Sequence, residues 1–542
     1  MSTLNDSRAE NSGLAPMESS GGDRIAAGAQ APAWSAGQIH ILVAAVLALI
    51  VFGSGAFHAE SLPPLWFDEG WTVCVAKTWV EQGHYGCLLR GEPGAPLLAA
   101  HFPVVASVAA SFRVFGVGVW QARLPGLVYT YGAFLLLYYV AGRLYGRKVA
   151  MATLALVIVF PLKWQIHPLV VGRQVLGEMP MICFLLAGYA CFLQVERNRG
   201  WLAAAILCWS LGWMTKAQAA PFLVASFGGT IVLAAIAREW RMVQWVGAGL
   251  VGSWLGYRGL CWLKDLLLAG HTLPHPPIHG LTEAIAFILI PSIRMETIGF
   301  TLTVWPEYTL ALGHALWRLW RPDREDRPRS DVHAVRTMLI LLAVSWLLWF
   351  ALLCAGEWRY ALPGLFVAAP CTAAFFARLT HQFDFRFIRE TVGRVVHRRQ
   401  FDADGRRVLL TIGLVVVMLW VVVQERYAIR ARDDDRDLFA VIAYLHANTP
   451  PTALIETYDS ELFLFLKRPY TYASAQTLME VIRQQQYPER SVGYNPLEAN
   501  PDYLVVGPFG RWAGFYKPLV KEGRIRLVET LGRYQIYEPV RQ

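Results

Sequence analysis

Repeated apolar runs long enough to cross a bilayer constrain this chain more than any other feature. They lie near 39–57, 119–141, 148–162, 179–195, 201–215, 217–237, 242–260, 297–317, 334–354, 360–378 and 407–424. About 20 apolar residues span a hydrocarbon core, so the pattern predicts a polytopic α-helical membrane protein with about 11 transmembrane helices. Composition agrees. Of 542 residues, 55% are hydrophobic and 16% charged, whereas a soluble domain carries about 25% charge. A soluble enzyme, a disordered chain and a disulfide-stapled secreted domain are excluded.

The net charge of +9 does not point to nucleic acid, because the cations fall in short loops between apolar runs. The basic loops are Arg143/Arg147/Lys148, Arg197/Arg199, Arg238/Arg241, the stretch Arg318–Arg336 and the stretch Arg378–Arg407. With 11 alternating spans and an inner N-terminus, all five fall on the cytoplasmic face, as the positive-inside rule requires. The other face then holds 58–118, 163–178, the 215–218 turn, 261–296, 355–359 and everything after 425. Residues 1–38 are rich in Ser, Gly and Ala without apolar periodicity and read as a disordered cytoplasmic tail. No basic segment directly precedes the run at 39–57, which is therefore expected to remain as an anchor.

Two segments depart from the spanning pattern. Leu97–Phe115 is apolar but contains His101, Pro103 and Arg113, and reads as helix lying at the outer surface. Residues 430–542 are more charged, with a helix expected over Asp437–Asn448 and strands over Ala453–Thr457, Tyr503–Val506, Arg526–Glu529 and Tyr534–Tyr537. That is a small extracytoplasmic α/β domain beyond a membrane domain at 39–429. It contains no GxGxxG and no P-loop, and the chain shows no internal repeat of the kind found in many transporters.

The outer segments collect groups that chemistry can use. Asp68 and Glu69 follow Trp66-Phe67 soon after the first run. Adjacent carboxylates raise each other's pKa and can poise one as a base, although acidic residues also favour the first turn of a helix. Further along come His101, Arg123, Arg173 and Glu178, then Lys216 between two runs with almost no loop, then Glu357, Arg359 and Tyr360. Ionisable groups near hydrocarbon are costly and usually have a use. Lys216 is alternatively a snorkelling lysine, and Arg359 a partner of Glu357. Trp66, Trp71, Trp79, Tyr85, Trp164 and Trp358 fit a sugar-binding wall or an interfacial aromatic belt. Together, cations suited to a lipid phosphate and carboxylates suited to deprotonating a hydroxyl converge on one face.

The ordered set of these residues resembles the GT-C membrane glycosyltransferases, in the branch of protein O-mannosyltransferases and lipid A aminoarabinose transferases. The resemblance rests on Asp68-Glu69, Ala76, Gly83-His84-Tyr85-Gly86, Phe112-Arg113-Val114-Phe115-Gly116 and Gln121-Ala122-Arg123-Leu124-Pro125. It continues through Arg173, Glu178-Met179-Pro180, Thr215-Lys216 and Arg359-Tyr360-Ala361-Leu362-Pro363. It departs at Glu178, where many relatives carry Asp, and at Leu97-Leu98-Ala99, where relatives often have a Pro-Pro-Leu-Tyr-like stretch.

The resemblance implies a sugar donor on a polyprenyl phosphate and a lipid, glycan or protein acceptor outside the cytoplasm, in a bacterial inner membrane. It implies an acidic base from Asp68 and Glu69, with Asp68 the first choice. Lys216, Arg359 and Arg173 would hold the donor phosphate. Glu178, Tyr360, Glu357, Arg123 and His101 would contact donor or acceptor, and one displacement would invert the anomeric centre. A transporter or flippase of lipid-linked sugars is the alternative; it calls for polar groups strung through the spans.

No cofactor is called for, and a divalent metal has no support. His271, His275 and His279 have helical spacing, but Pro274, Pro276 and Pro277 break the helix a metal face would need. Cys74 and Cys87 share an outer segment and admit either a disulfide or two thiols.

Overall fold

The computed structural model describes residues 35–56, 63–96, 101–159, 166–274, 290–320, 330–354, 356–398, 401–430 and 436–541. The tail up to residue 34, Leu97-Leu98-Ala99, Trp164, His275 and His279 lie outside them. The first apolar helix, α1 (Ala36–Ala56), begins in a unit that ends at Val46; residues 47–542 form a second unit.

Within that second unit helices dominate. In order they are α2 (Phe67–Gln82), α3 (Phe102–Phe115), α4 (Val119–Tyr145), α5 (Arg147–Ile158), α6 (Pro168–Val171), α7 (Glu178–Phe192), α8 (Gly200–Thr215), α9 (Ala219–Ile236) and α10 (Trp240–Leu267). Then follow α11 (Pro291–Thr303), α12 (Pro306–Trp320), α13 (Ser330–Leu352), a short 3₁₀ turn (Trp358–Ala361), α14 (Leu362–Leu379), α15 (Phe385–Arg398) and α16 (Ala403–Arg430). Among the described residues, five helices are long and apolar enough to cross a membrane: Gly37–Ala56, Val119–Tyr145, Ala219–Ile236, Ser330–Leu352 and Trp358–Leu379. Phe102–Phe115, Glu178–Phe192 and Gly200–Thr215 are apolar but shorter.

The expected run at 297–317 is not one helix. It breaks between Thr303 and Pro306 into α11 and α12. Pro306 has no N–H to continue the ladder, and its ring disfavours helical backbone at Trp305. α3 forms where a surface helix was expected, with Pro103 in its first turn and His101 at its cap. It packs on α2 and α4.

In the C-terminal segment the expected helix and four strands are present, together with five elements the sequence reading lacked. α17 (Arg436–Asn448) and α18 (Ala475–Gln486) accompany a five-stranded sheet of order β4-β3-β5-β7-β6. The strands are β3 (Ile455–Thr457), β4 (Tyr470–Thr471), β5 (Tyr503–Val506), β6 (Ile525–Leu531) and β7 (Tyr534–Pro539); a small hairpin, β1 (Leu88–Leu89) with β2 (Glu92–Pro93), precedes them. β3 runs parallel to β4 and β5, and β7 is antiparallel to β5 and β6. The additions are β4, α18, a 3₁₀ turn at Ser460–Leu464 and short helices at Pro508–Ala513 and Lys517–Lys521.

This sheet does not have a core of its own. One buried cluster joins Phe67, Trp71 and Val75 of α2 and Val105 and Phe112 of α3 to Tyr458, Phe463, Val505 and Ile536. Phe67 stacks on Phe509 at 3.5 Å between ring centroids, Ser460 donates its hydroxyl to the Phe67 carbonyl, and Lys77 Nζ donates to the Leu464 carbonyl at 2.9 Å. Gly70 makes the contact as close as it is: a Cβ there would meet the Ser460 carbonyl carbon at 2.4 Å. Cys74 and Cys87 are both buried in this region as unbonded thiols.

Three carboxyl groups sit inside the same assembly. Glu456 accepts from Tyr494 and Tyr516 hydroxyls at 2.7 Å each, Asp459 accepts from the Gly507 and Phe509 amides at 2.7 Å each, and Glu461 accepts from the Tyr534 hydroxyl at 2.9 Å. Burial pushes Glu456 and Glu461 up to about 8 and Asp459 up to about 6. The folded chain therefore keeps protons that the unfolded chain loses above its ordinary carboxylate range. That contribution is fully present below about pH 4 and declines as pH rises towards the folded values near 8. The melting temperature of the purified protein should fall steadily from about pH 5 to about pH 8, and Glu456→Gln should flatten the slope. An unchanged slope in that variant would remove Glu456 as a source.

Candidate active site

Consecutive residues of a helix point about 100° apart, and the first turn of α2 uses this to serve three neighbours at once. Phe67 goes to the C-terminal sheet. Asp68 enters a cavity of ≈ 260 Å³. Glu69 turns the other way and is fully buried. Its Oε1 lies 3.1 Å from Arg123 Nη2 and its Oε2 3.3 Å from Arg123 Nε, while Oε2 also accepts from the Val175 amide at 2.9 Å. Arg123 Nη2 donates in addition to the Pro63 carbonyl at 2.8 Å. The adjacent carboxylates thus have separate environments, and Glu69 does not line the cavity.

The cavity is built from α2, the segment before α7, the α8–α9 turn, the 3₁₀ turn before α14 and the edge of the C-terminal sheet. Asp68, His101, Glu178, Lys216, Arg359 and Tyr360 all line it. Asp68 forms an ion pair with Arg359, and Glu178 with Lys216. Arg359 Nε stands 3.9 Å from Glu178 Oε1, so the four charges form one chain. Lys216 owes its place to its backbone. It leaves the helix at α8's end with φ −153° and ψ 107°, which swings the side chain back over Gly177. A Cβ at Gly177 would stand 3.6 Å from Lys216 Cδ and 3.2 Å from the Thr215 carbonyl oxygen. Arg359 stacks over Trp66 at 4.7 Å, and Lys216 and Arg359 both face the Tyr360 ring at 5.2 Å. Cations over aromatic faces gain about 0.5–2 kcal/mol where water is excluded. Trp346 Nε1 holds the Tyr360 carbonyl at 2.7 Å. His101 is pushed down to about 4 by burial and then by Lys216, so it is neutral at pH 7.

Four expected site residues are placed elsewhere. Glu69 and Arg123 form the buried pair behind the cavity wall. Arg173 is buried, and its guanidinium is pushed down to about 10 by burial, with Arg123 adding; it does not line the cavity. Glu357 is exposed at the head of the 3₁₀ turn, and Arg359 pairs with Asp68 and Glu178 instead. His271 donates through Nδ1 to the Gly83 carbonyl at 3.0 Å, tying the end of α10 to the end of α2. Among the described residues no cluster of three potential metal-ligating side chains occurs.

The other wall was not foreseen. Tyr458, Ala473, Ser474, Ala475 and Leu478 cover the cavity from the C-terminal segment, and Thr72 faces them from α2. Ser474 caps α18 by accepting from the Thr477 amide at 3.3 Å. Ser is a preferred helix N-cap, but nothing local says where that helix docks.

A family model described as dolichyl-phosphate-mannose-protein mannosyltransferase matches residues 101–254, from the cap of α3 into α10. ArnT from Cupriavidus metallidurans in the apo state superposes with a TM-score of 0.55 at 15% identity, covering 93% of this chain and 99% of that one. The same protein bound to undecaprenyl phosphate gives 0.53 at 14%, covering 93% and 97%. AglB, the oligosaccharyltransferase of Archaeoglobus fulgidus, in complex with an inhibitory peptide and a dolichol-phosphate, gives 0.53 at 11%, covering 94% of this chain and 75% of that one. No curated protein sequence matches. The family model covers part of the chain, and these superpositions show a fold shared with the solved structures.

The Glu69–Arg123 pair carries its own expectation. Removing one partner leaves a buried, uncompensated charge, which costs about 3–5 kcal/mol. Glu69→Ala should lower the melting temperature sharply, whereas the double replacement Glu69→Leu with Arg123→Met should recover much of the loss. If Glu69→Ala melts as the unaltered protein does, the pair does not hold α2.

Proposed function

We propose that the chain transfers a sugar from a polyprenyl-phosphate donor to an acceptor on the outer face of a bacterial inner membrane. The observation that carries this reading is the alternating charge chain Asp68–Arg359–Glu178–Lys216 inside one covered cavity. It supplies two cations beside a carboxylate, which is what displacement of a phosphate from an anomeric carbon needs. The family model over 101–254 and the solved relatives that hold undecaprenyl phosphate or dolichol-phosphate support the donor class.

The chemistry follows from the charges. A sugar phosphodiester carries about one negative charge. The acceptor's hydroxyl or amine attacks the anomeric carbon as the carbon–oxygen bond to phosphate breaks. The departing lipid phosphate then gains a second charge. Lys216 and Arg359 are placed to hold that growing charge, and such preorganised cations act most strongly where water is excluded. Asp68 takes the acceptor proton. Arg359 pairs with Asp68, so a donor phosphate that competes for Arg359 has a second effect: it frees the carboxylate. Glu178 aims both cations and stays paired throughout. One displacement inverts the anomeric centre.

The test is transfer from a labelled polyprenyl-phosphate sugar in detergent, with donor binding followed in parallel. Asp68→Asn keeps the shape but cannot take the proton, and should lose roughly 10²–10⁴-fold in rate while binding donor. Near-normal transfer would remove Asp68 as the base.

Lys216→Ala should cost about 2–4 kcal/mol of transition-state stabilisation, read as a fall in turnover with the protein still folded. Unchanged turnover would make Lys216 a snorkelling residue with no part in catalysis.

A further inference from the structure

A second cluster of cations lies at the opposite end of the helices. α14 starts beside the candidate active site and runs for 18 residues, about 27 Å at 1.5 Å per residue. That is close to the thickness of a hydrocarbon core. At its far end, a small cavity of ≈ 90 Å³ opens between α12, α13, α14 and the end of α4. Its polar lining is Arg318, Arg336, Arg378, His314, His333 and Tyr145. Among the described residues no carboxylate lines it; Glu239 faces His333 from the α9–α10 turn without reaching the cavity.

Of these cations, Arg336 is held in place. Arg336 donates through Nη2 to the Leu144 carbonyl at 3.0 Å and lies 5.1 Å from the centre of the Tyr145 ring. Its Nε is buried with no hydrogen-bond partner among the described residues. His314 packs on Phe375 at 5.5 Å. A buried, unpartnered guanidinium N–H in a pocket lined by cations calls for an anionic acceptor. The cavity has room for a phosphate group.

The surroundings say which phosphate. α12 presents Leu316, Trp317 and Trp320 outward beside the pocket, Trp320 82% exposed. α15 follows α14 after a short turn and is a basic amphipathic helix, carrying Arg386, Arg389 and Arg394 with Phe385 and Val396 exposed. Apolar flanks around a basic pocket suit acyl chains, and a free phosphate would make no use of them. Basic pockets at the cytoplasmic ends of membrane helices bind anionic head groups.

We infer that Arg318, Arg336 and Arg378 form a binding site for the phosphate of an anionic phospholipid in the inner leaflet, separate from the candidate active site. The inference rests on the membrane reading and not on the transfer of a sugar.

The experiment uses the full chain, purified in neutral detergent and exposed to mixed micelles of phosphatidylglycerol or phosphatidylcholine, with bound lipid counted by native mass spectrometry. The unaltered protein should retain phosphatidylglycerol in preference to phosphatidylcholine. Arg318→Gln and Arg378→Gln should each weaken retention about fivefold, with melting temperatures unchanged. Inorganic phosphate in excess should not displace the lipid. Equal retention by the variants, or equal retention of phosphatidylcholine, would overturn the site. Stabilisation by inorganic phosphate without lipid retention would overturn the lipid assignment. Should one variant fail to fold, the other variant and the comparison of the two lipids still decide the matter.

Discussion

The buried pair between Glu69 and Arg123 is the constraint on which the rest of this architecture depends. It joins the first turn of α2 to α4, and Glu69 also takes the Val175 amide ahead of α7. A carboxylate with no exposure must keep its partners, because an unpaired charge there is prohibitive. The helix is therefore fixed in rotation. Once rotation is fixed, Asp68 has one direction to point and Phe67 another. The candidate base and the seat of the C-terminal sheet are set by the same interaction.

The charges inside the cavity balance. Two carboxylates meet two cations, and the buried His101 is neutral. A site of this kind exerts little long-range pull, since steering needs a net field. Recognition of a phosphate would work by exchange: the ligand replaces one carboxylate in the chain, and that carboxylate becomes available. Under the proposed function, such an exchange would couple donor occupancy to the state of Asp68.

Much of this was legible in the sequence, and the boundary has physical causes. Lys216 and Arg359 could be picked out because an ionisable group beside hydrocarbon is costly, so its presence marks a use. Asp68 could be picked out because it follows the first apolar run and heads a helix. Four strands and a helix of the C-terminal segment followed from apolar patterning and turn residues. What patterning does not carry is direction. Glu69 and Arg123 are polar residues in the right region, and only the rotation of α2 decides which of its two carboxylates lines the cavity. Arg173 went the same way, buried beside Arg123. The run at 297–317 was read as one span because its hydropathy outweighs a single proline, yet Pro306 divides it. The covering residues from Tyr458 to Leu478 carry no charge and no motif, and the docking of distant segments decides where they sit.

That covering wall has a consequence for how the protein could diverge. Every charged group in the cavity belongs to the helical half of the chain, and every covering residue from the C-terminal half is uncharged. The two contributions meet across α2, where Gly70 lets the backbones touch. Substitution at Ala473, Ala475 or Leu478 would reshape the cavity and leave its charges in place. Under the proposed function the charged half and the covering half can drift on separate schedules, so close relatives could share one reaction and differ in what they modify.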